Sequence, residues 1–282
     1  MANRQEEGAV KNMYPEEAKA FMDGRPEGSY TLLDVRQPAE YEEAHLPGAT
    51  LIPLPELPDS IGRLDPEKPT IVYCAVGGRS RMGAQLLSHQ GLKDVRQIIG
   101  GIQAWEEQTA TGPREFHLRF VAGIDSPEEV VAQAYGMEEA LRKFHQTVRD
   151  KTTDPELAKL LDHLVNAEVG HKKTLLSLLP DQNLREELER KYPESGGKPD
   201  ILEGGLDFDA FMAENEPFLQ SVSGCLNVAM MIETQALDLY LRMAAETKNE
   251  ESRKILYRIS NEEKTHLAAL GRVMDETASR KF

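Results

Sequence analysis

The first 112 residues alternate short apolar runs with amphipathic segments. The runs 31–35 and 70–73 are unbroken, which is typical of strands covered on both faces, and 95–99 is another run that favours a strand. Helices are predicted between and after these runs, at residues 15–23, 80–89 and 101–107. The alternation indicates an α/β domain.

From residue 126 onward the apolar positions follow the three-and-four spacing of helices. Ser126 and Pro127 form a helix start, with a serine N-cap and a proline in the first turn. Further long helices are predicted at 155–179, 225–245 and 251–278. About 45 residues separate the second helix from the third, which suits a four-helix bundle with one long crossover connection that carries one or two short helices.

Residues 109–113, Thr-Ala-Thr-Gly-Pro, break the α/β pattern and mark a domain boundary. We therefore predict an α/β domain over residues 1–112, a linker over 113–125 that is extended from 114 to 124, and an all-α domain over 126–282. Two domains also agree with a length of 282 residues.

The composition argues against several classes of partner and location. The chain carries 33 basic and 48 acidic residues, and the net charge of −15 argues against binding to nucleic acid or to an anionic membrane. No apolar run approaches the roughly 20 residues of a spanning helix, and the first residues lack the apolar core of a signal peptide, so we expect a cytoplasmic protein. The only cysteines, Cys74 and Cys225, are too few for a disulfide scaffold or a Cys-x-x-Cys metal site.

Residues 74–79, Cys-Ala-Val-Gly-Gly-Arg, join a buried strand to the start of a helix. Two glycines let such a loop turn its N–H groups inward, and the helix N-terminus adds partial positive charge, which together make an anion site. A cysteine held there as thiolate is a nucleophile, whereas the alternative for Cys74 is a buried cysteine that only ends a strand. The residues predicted to bind the substrate are Ala75, Val76, Gly77, Gly78, Arg79 and Ser80.

The first domain resembles the rhodanese family over its whole length. The resemblance rests on residues 33–36, 40–41, 45–49, 74–79 and 100–105. It implies a sulfurtransferase in which Cys74 takes a sulfane sulfur from a small-molecule donor, carries it as a persulfide and passes it to a thiol acceptor. Arg79 matches the loop-closing arginine of the family, so Cys74 and Arg79 are the expected catalytic residues.

The length of the loop separates two activities of this fold. The related phosphatases carry one more residue between cysteine and arginine to fit a tetrahedral phosphate, whereas four residues lie between them here, which favours sulfur. Ala75 stands where many family members have arginine, which leaves the sulfur donor open. We expect Asp34, Arg36 and Glu40 to form structural ion pairs.

The second domain contains an internal repeat. Glu263-x-x-His266 stands 95 positions after Glu168-x-x-His171, and Glu233 stands 95 positions after Glu138. A single Glu-x-x-His is more often a surface pair. Together, however, these residues place four carboxylates and two imidazoles in the core of a four-helix bundle, where two divalent ions balance them. The alternative, structural ion pairing, needs cations that the apolar stripes do not supply.

This domain resembles the rubrerythrin branch of the ferritin-like superfamily. The resemblance implies two iron ions, or manganese with similar geometry, bound by Glu138, Glu168, His171, Glu233, Glu263 and His266. Rubrerythrins also have a four-cysteine iron centre and a further glutamate where this chain has Ala236. Because both are missing, redox turnover would need an external electron donor.

Three other residues lie near the predicted ligands. His145 and Tyr240 each follow a ligand glutamate by seven residues on the same helix face, which permits a hydrogen bond to a ligand or plain packing. Cys225 lies eight residues before Glu233 and is either a buried thiol or an acceptor for sulfur from Cys74.

The two predicted sites lead to a main hypothesis and an alternative. The main hypothesis couples persulfide transfer at Cys74 to a di-iron centre that reacts with oxygen or peroxide. The alternative is an iron-binding or iron-sensing module with a tethered sulfurtransferase and no redox turnover. A pure dimerisation scaffold ranks last because a scaffold needs no buried acids, although we expect a homodimer through the helical domain.

Overall fold

A computed structural model describes residues 10–113, 124, 126–193, 202 and 207–279. The chain forms two compact units, Met1–Phe116 and His117–Phe282. The predicted linker, with its extended segment, lies almost entirely outside the described residues. Within the described part, no helix combines the length and the apolar character needed to cross a membrane.

The first unit is built on a parallel sheet of five strands in the order β1-β5-β4-β2-β3. The strands are β1 (Lys11–Met13), β2 (Thr31–Asp34), β3 (Thr50–Leu51), β4 (Thr70–Tyr73) and β5 (Val95–Ile98). The three predicted strands are confirmed. The other two, β1 and β3, lie at the edges and contain three and two residues, too few to show a pattern in the sequence.

Apolar side chains cover both faces of this sheet. Leu32 and Ile71 belong to one buried cluster, while their chain neighbours Leu33 and Val72 belong to another on the opposite face. Consecutive strand residues point to opposite faces, so burial on both sides explains the unbroken apolar runs. The middle strand β4 ends at Tyr73, which places Cys74 at the carboxyl edge of the sheet.

The helices of this unit are α1 (Pro15–Asp23), α2 (Pro38–Glu43), α3 (Leu57–Ser60) and α4 (Gly78–His89). The helix expected at 101–107 is wrong, since only a 3-10 turn forms over Gly101–Ala104 and Trp105 is extended. The N–H groups of Ile102 and Gln103 donate to the carbonyls of Cys74 and Ala75 at 2.8 and 3.1 Å. These N–H groups are therefore committed to the Cys74 loop and not to a longer helix.

The second unit is helical in all its described elements. Its helices are α5 (Pro127–Lys151), α6 (Pro155–Leu178), α7 (Gln182–Lys191), α8 (Phe208–Asn215), α9 (Val222–Glu246) and α10 (Glu250–Ser279). Ser126 caps α5 by accepting the Glu129 N–H at 3.2 Å, as its sequence predicted. The two short helices α7 and α8 lie on the connection between α6 and α9, whose residues 194–201 and 203–206 are outside the described part.

The four long helices pack as two pairs, α5 with α6 and α9 with α10. Their buried side chains form two clusters, here called the Phe144 cluster and the Tyr240 cluster. The Phe144 cluster includes Phe144, Leu161, Ile232 and Leu270, and the Tyr240 cluster includes Met137, Leu175, Tyr240 and Ile259. Helices α5 and α10 run from the Tyr240 cluster to the Phe144 cluster, whereas α6 and α9 run the opposite way, so the helices of each pair are antiparallel.

A polar layer lies between these two apolar clusters. On α5, Glu138 follows Met137 of the Tyr240 cluster, and on α9, Glu233 follows Ile232 of the Phe144 cluster. The two Glu-x-x-His motifs of α6 and α10 likewise fall between members of the two clusters. Each long helix thus brings its predicted ligands to the same level of the core.

Candidate functional sites

Cys74 lies buried at the end of β4, with its sulfur facing the loop that follows. The Gly77 N–H donates to the Sγ atom at 3.1 Å, and the Ser80 Oγ atom lies 3.5 Å from it. Burial by itself would raise the pKa of the thiol, but hydrogen bonds from Ser80 and the loop backbone outweigh it, so the pKa of Cys74 is lowered. A lowered pKa favours the thiolate, which is the nucleophilic form.

Glycines shape the loop around this sulfur. Gly77 has a φ of +102°, a left-handed conformation that favours glycine. Gly101 has a φ of +60°, and a Cβ atom there would lie 2.2 Å from the carbonyl oxygen of Cys74. The Gln97 side chain also donates to the Gly77 carbonyl at 2.8 Å. Strand β5 and the turn that follows it therefore pack against the Cys74 loop and stabilise its shape.

Arg79 closes the loop through an ion pair with α2. Both terminal nitrogens of its guanidinium donate to the Glu40 carboxylate at 2.6 Å. The hydrogen bond with Arg79 lowers the pKa of Glu40 to about 2, against the opposing effect of partial burial. The expected structural pairs are also present: Arg36 bonds to Asp34, buried beside the sheet.

The two residues that follow Cys74 are apolar and accessible to solvent. Val76 is 62% exposed, and Ala75 is partly buried beside it. Ser80, in contrast, is fully buried beneath the sulfur and donates to the Gly77 carbonyl at 3.2 Å. The positions predicted to bind the substrate therefore comprise an open apolar rim and a polar floor.

The six predicted ligands come together in the polar layer of the helical unit. Three groups form, in each of which the candidate donor atoms lie within 4.8 Å of one another. They are Glu168, His171 and His266; Glu138, His171 and Glu263; and Glu233, Glu263 and His266. All four carboxylates are buried, and both histidines are partly buried. The repeat seen in the sequence thus becomes one cluster.

The electrostatics of this cluster suit a metal. Burial raises the pKa of Glu138 to about 7 and, with a neighbouring carboxylate, raises that of Glu263 well above its usual range. Burial also acts on Glu168, but His145 and His171 outweigh it and lower its pKa. Neither oxygen of Glu168 has a hydrogen bond among the described residues. Buried carboxylates without donors are unfavourable, and carboxylate with imidazole is a donor set that iron and manganese accept.

Two buried ion-pair networks lie on the helices that carry the ligands. Glu139 pairs with Arg142 at 2.8 Å and with Lys172 at 2.6 Å, in a buried network beside the cluster. Asp238 similarly pairs with Arg242 at 2.7 Å on α9. These networks were not predicted from the sequence. A signal was present, because Glu139 and Arg142 are three residues apart and Asp238 and Arg242 are four apart, which are ion-pair spacings on a helix.

No lysine or arginine in the described part of the chain pairs with three of the ligand carboxylates, those of Glu138, Glu168 and Glu263. The carboxylates instead face histidines: His171 Nδ1 lies 3.3 Å from Glu138 and 3.1 Å from Glu168. Structural ion pairing with Lys or Arg therefore does not account for these three acids, and the residues fit a pair of divalent ions.

The remaining candidates differ in their surroundings. His145 is buried, and its Nε2 atom lies 3.6 Å from Glu168 Oε1. Tyr240 is buried within the apolar cluster named after it. Cys225 is buried with its Sγ donating to the Leu219 carbonyl at 3.5 Å, and burial raises the pKa of its thiol to about 11. A thiol kept protonated favours the structural interpretation of Cys225 over a sulfur acceptor.

Comparisons with known proteins identify relatives of the first unit. Residues 15–108 match the family model of the rhodanese-like domain. A rhodanese-like/PpiC domain-containing protein of Arabidopsis thaliana is 50% identical over 78 residues, or 26% of each chain. A thiosulfate sulfurtransferase of Coxiella burnetii is 38% identical over 28% of this chain and 75% of the relative. A solved rhodanese-related protein from Thermoplasma volcanium is 31% identical over 34% of this chain and 90% of that one, with a TM-score of 0.31.

Proposed function

Because the chain belongs to the rhodanese-like family through residues 15–108, we propose that its first unit is a sulfurtransferase with Cys74 as the sulfur carrier. The observation that carries this proposal is the position of the Cys74 sulfur, which receives a backbone N–H and lies beside Ser80 at the end of the middle strand. One relative, which this chain matches over 75% of the relative's length, is named a thiosulfate sulfurtransferase. The plant relative is matched over only 26% of its length, so activity and partners of the whole chain are part of the proposal.

Sulfur transfer at this site takes two displacements. The Cys74 thiolate attacks the sulfane sulfur of the donor, a new S–S bond forms, and the donor's S–S bond breaks with its electron pair leaving on the donor remnant. A thiol acceptor, as thiolate, then attacks the outer sulfur, and Cys74 leaves as thiolate. Loop N–H groups stabilise negative charge on the sulfur, while Arg79, fixed by Glu40, holds the loop closed.

The test is a thiosulfate-to-cyanide assay on the Cys74→Ser and Cys225→Ser variants. Both replace a buried thiol by a hydroxyl, so each is a control for the other. We expect Cys74→Ser to lose activity by several orders of magnitude, as expected when a nucleophile is removed, and Cys225→Ser to retain it. Equal activity of Cys74→Ser and the wild type would rule out the carrier role.

For the second unit we propose a ferritin-like four-helix bundle with a centre of two iron ions, or of manganese. Glu138, Glu168, His171, Glu233, Glu263 and His266 would hold the ions. A bound pair of irons supplies redox reactivity with oxygen or peroxide, and the chain contributes an apolar enclosure on both sides of the ligands. Coupled to persulfide transfer, such a centre would serve sulfur or oxidative-stress metabolism, with electrons from an external donor. A cytoplasmic location and a homodimer through this unit belong to the same proposal.

The alternative is an iron-binding or iron-sensing module without turnover. It has one observation in its favour: the chain has only two cysteines, both buried and far apart in sequence, so it lacks a four-cysteine electron-transfer centre. Iron analysis of the purified protein, followed by the visible spectrum after addition of ferrous iron and peroxide, separates the two. Rapid oxidation supports the redox centre, whereas bound iron that is inert to both oxidants supports the carrier.

A further inference from the structure

The two halves of the ligand repeat differ at a buried position near the ligands. Glu138 and Glu233 are equivalent by the offset of 95, and the residues seven positions after them are His145 and Tyr240. Both side chains are buried, 2% and 1% exposed. The six ligands are therefore the same in the two halves of the cluster, while the side chain two turns further along is an imidazole in one half and a phenol in the other.

The imidazole faces a ligand. His145 Nε2 lies 3.6 Å from Glu168 Oε1, and neither atom has a hydrogen bond within the described part of the chain. The gap exceeds a hydrogen bond by only a few tenths of an ångström. The His145 ring also makes an edge-to-face contact with Phe144 of the Phe144 cluster, at 5.5 Å between centroids. A small shift of the Glu168 carboxylate closes the contact.

Glu168 is thus approached from two sides. Its Oε2 atom lies 3.1 Å from His171 Nδ1, and its Oε1 atom faces His145. The first histidine belongs to the same ligand groups, whereas His145 lies outside them. A side chain that orients a ligand from outside the coordination sphere typically changes metal affinity about 10- to 100-fold when it is removed.

We propose that His145 is a positioning residue that holds the Glu168 carboxylate and makes the two metal positions unequal in affinity. This inference rests on the proposed metal centre. It goes beyond that centre because the six repeated ligands by themselves predict two equivalent positions. His145 acts through Glu168 and is not itself a ligand.

The test is a titration of metal-free protein with Co²⁺, followed by its visible absorption, on the wild type and on His145→Leu. We expect two steps in the wild type, of which His145→Leu weakens one about 10- to 100-fold and leaves the other. His163 lies on α6, the helix of Glu168, and is exposed, so His163→Leu is the matched control and keeps both steps. His145→Gln retains an N–H donor of similar reach and should recover most of the lost affinity, which a packing role alone does not predict.

Each outcome decides the question. If both Co²⁺-binding steps have the wild-type affinities in His145→Leu, the positioning role is overturned, while the proposal of a metal centre is retained. Equal weakening of both steps without recovery in His145→Gln also overturns it, because that result indicates a general packing defect. No Co²⁺ binding by the wild type overturns the metal centre and this inference together. If far-UV circular dichroism shows that His145→Leu is unfolded, His145→Tyr replaces it: this variant has the same side chain at the position in both halves, so the difference between the two affinities should become smaller, and an undiminished difference overturns the proposal.

Discussion

At the scale of single residues, the hydrogen bonds of the Cys74 sulfur with Ser80 and with the loop backbone lower the pKa of this thiol. The one arginine of the loop, Arg79, is held by both its terminal nitrogens on Glu40. Burial opposes the thiolate, so Ser80 and the loop N–H groups have to outweigh it. The sequence indicated the cysteine and its loop, but the partner of Arg79 lies 39 residues earlier in the chain and is joined to it only by the fold.

Replacing Ser80 by alanine should raise the pKa of Cys74, because the sulfur stays buried but loses the side-chain hydrogen bond with Ser80 that lowers this pKa. The thiolate is present above this pKa and is lost as the pH falls through it. In the wild type the pKa is lowered, so reactivity persists to lower pH, and in Ser80→Ala it should fall off at higher pH. The measurement is the rate of iodoacetamide alkylation against pH, in a Cys225→Ser background.

Ser88→Ala is the control for this experiment, since Ser88 lies eight residues further along α4. It should leave the midpoint of the alkylation profile unchanged. The same midpoint in Ser80→Ala and the wild type would contradict the role given to the Ser80 hydroxyl.

At the scale of elements, the turn after β5 determines the shape of the Cys74 loop. Its N–H groups bind the carbonyls of Cys74 and Ala75, and Gly101 packs without space for a side chain. The sequence predicted a helix over 101–107, yet only a 3-10 turn forms because the N–H groups of Ile102 and Gln103 donate to the Cys74 loop. A local sequence pattern cannot predict that tertiary hydrogen bonds will compete with the hydrogen bonds of a helix.

Gly101→Ala should therefore displace the loop. The added Cβ would lie 2.2 Å from the Cys74 carbonyl oxygen, at a φ of +60° that is unfavourable for alanine. We expect a loss of stability of about 2 kcal/mol or more and at least a roughly tenfold lower kcat/KM for sulfur transfer, as expected when a reacting group is misplaced. Urea unfolding and the thiosulfate assay measure the two effects.

Gly62→Ala is the matched control, because a Cβ at Gly62 meets no atom within 4 Å and the backbone there is not left-handed. This variant should retain full sulfur transfer and wild-type stability. If Gly101→Ala behaves like Gly62→Ala, the turn does not support the loop.

At the scale of the whole molecule, each unit has its own core. The sheet carries an apolar cluster on each face, and the helical unit has the Phe144 and Tyr240 clusters with a layer of acids between them. Acids buried at that level destabilise the metal-free helical unit unless they are protonated or bound. Metal binding should therefore act on the stability of this unit.

We expect divalent iron or cobalt at about 100 times its Kd to stabilise the helical unit by about 2.7 kcal/mol, which is roughly 5 to 10 °C in Tm for a unit of this size. Far-UV circular dichroism follows the helices, whereas fluorescence follows Trp105, the only tryptophan, in the first unit. The ellipticity midpoint should rise with metal while the fluorescence midpoint stays. A metal-dependent rise of the fluorescence midpoint alone would contradict the assignment.

Two neighbouring acids on α10 provide the variant and its control for this experiment. Glu263 is buried among the ligands, while Glu262 is partly buried and faces Arg258 at 3.6 Å. Glu263→Gln should reduce or abolish the rise with metal, and Glu262→Gln should retain it. Equal responses of the two variants would show that the metal binds elsewhere.

Local spacing in the sequence was enough to predict the buried strands, the Cys74 loop, the long helices and the repeat of Glu138, Glu168 and His171 at an offset of 95. Periodicity is sufficient for these because each reflects which face of an element is buried. Which residues contact each other across elements follows from the packing of the fold. The pairing of Arg79 with Glu40, the support of the loop by Gly101 and the approach of His145 to Glu168 join residues from different elements. Such contacts depend on packing between elements, and no local pattern encodes them.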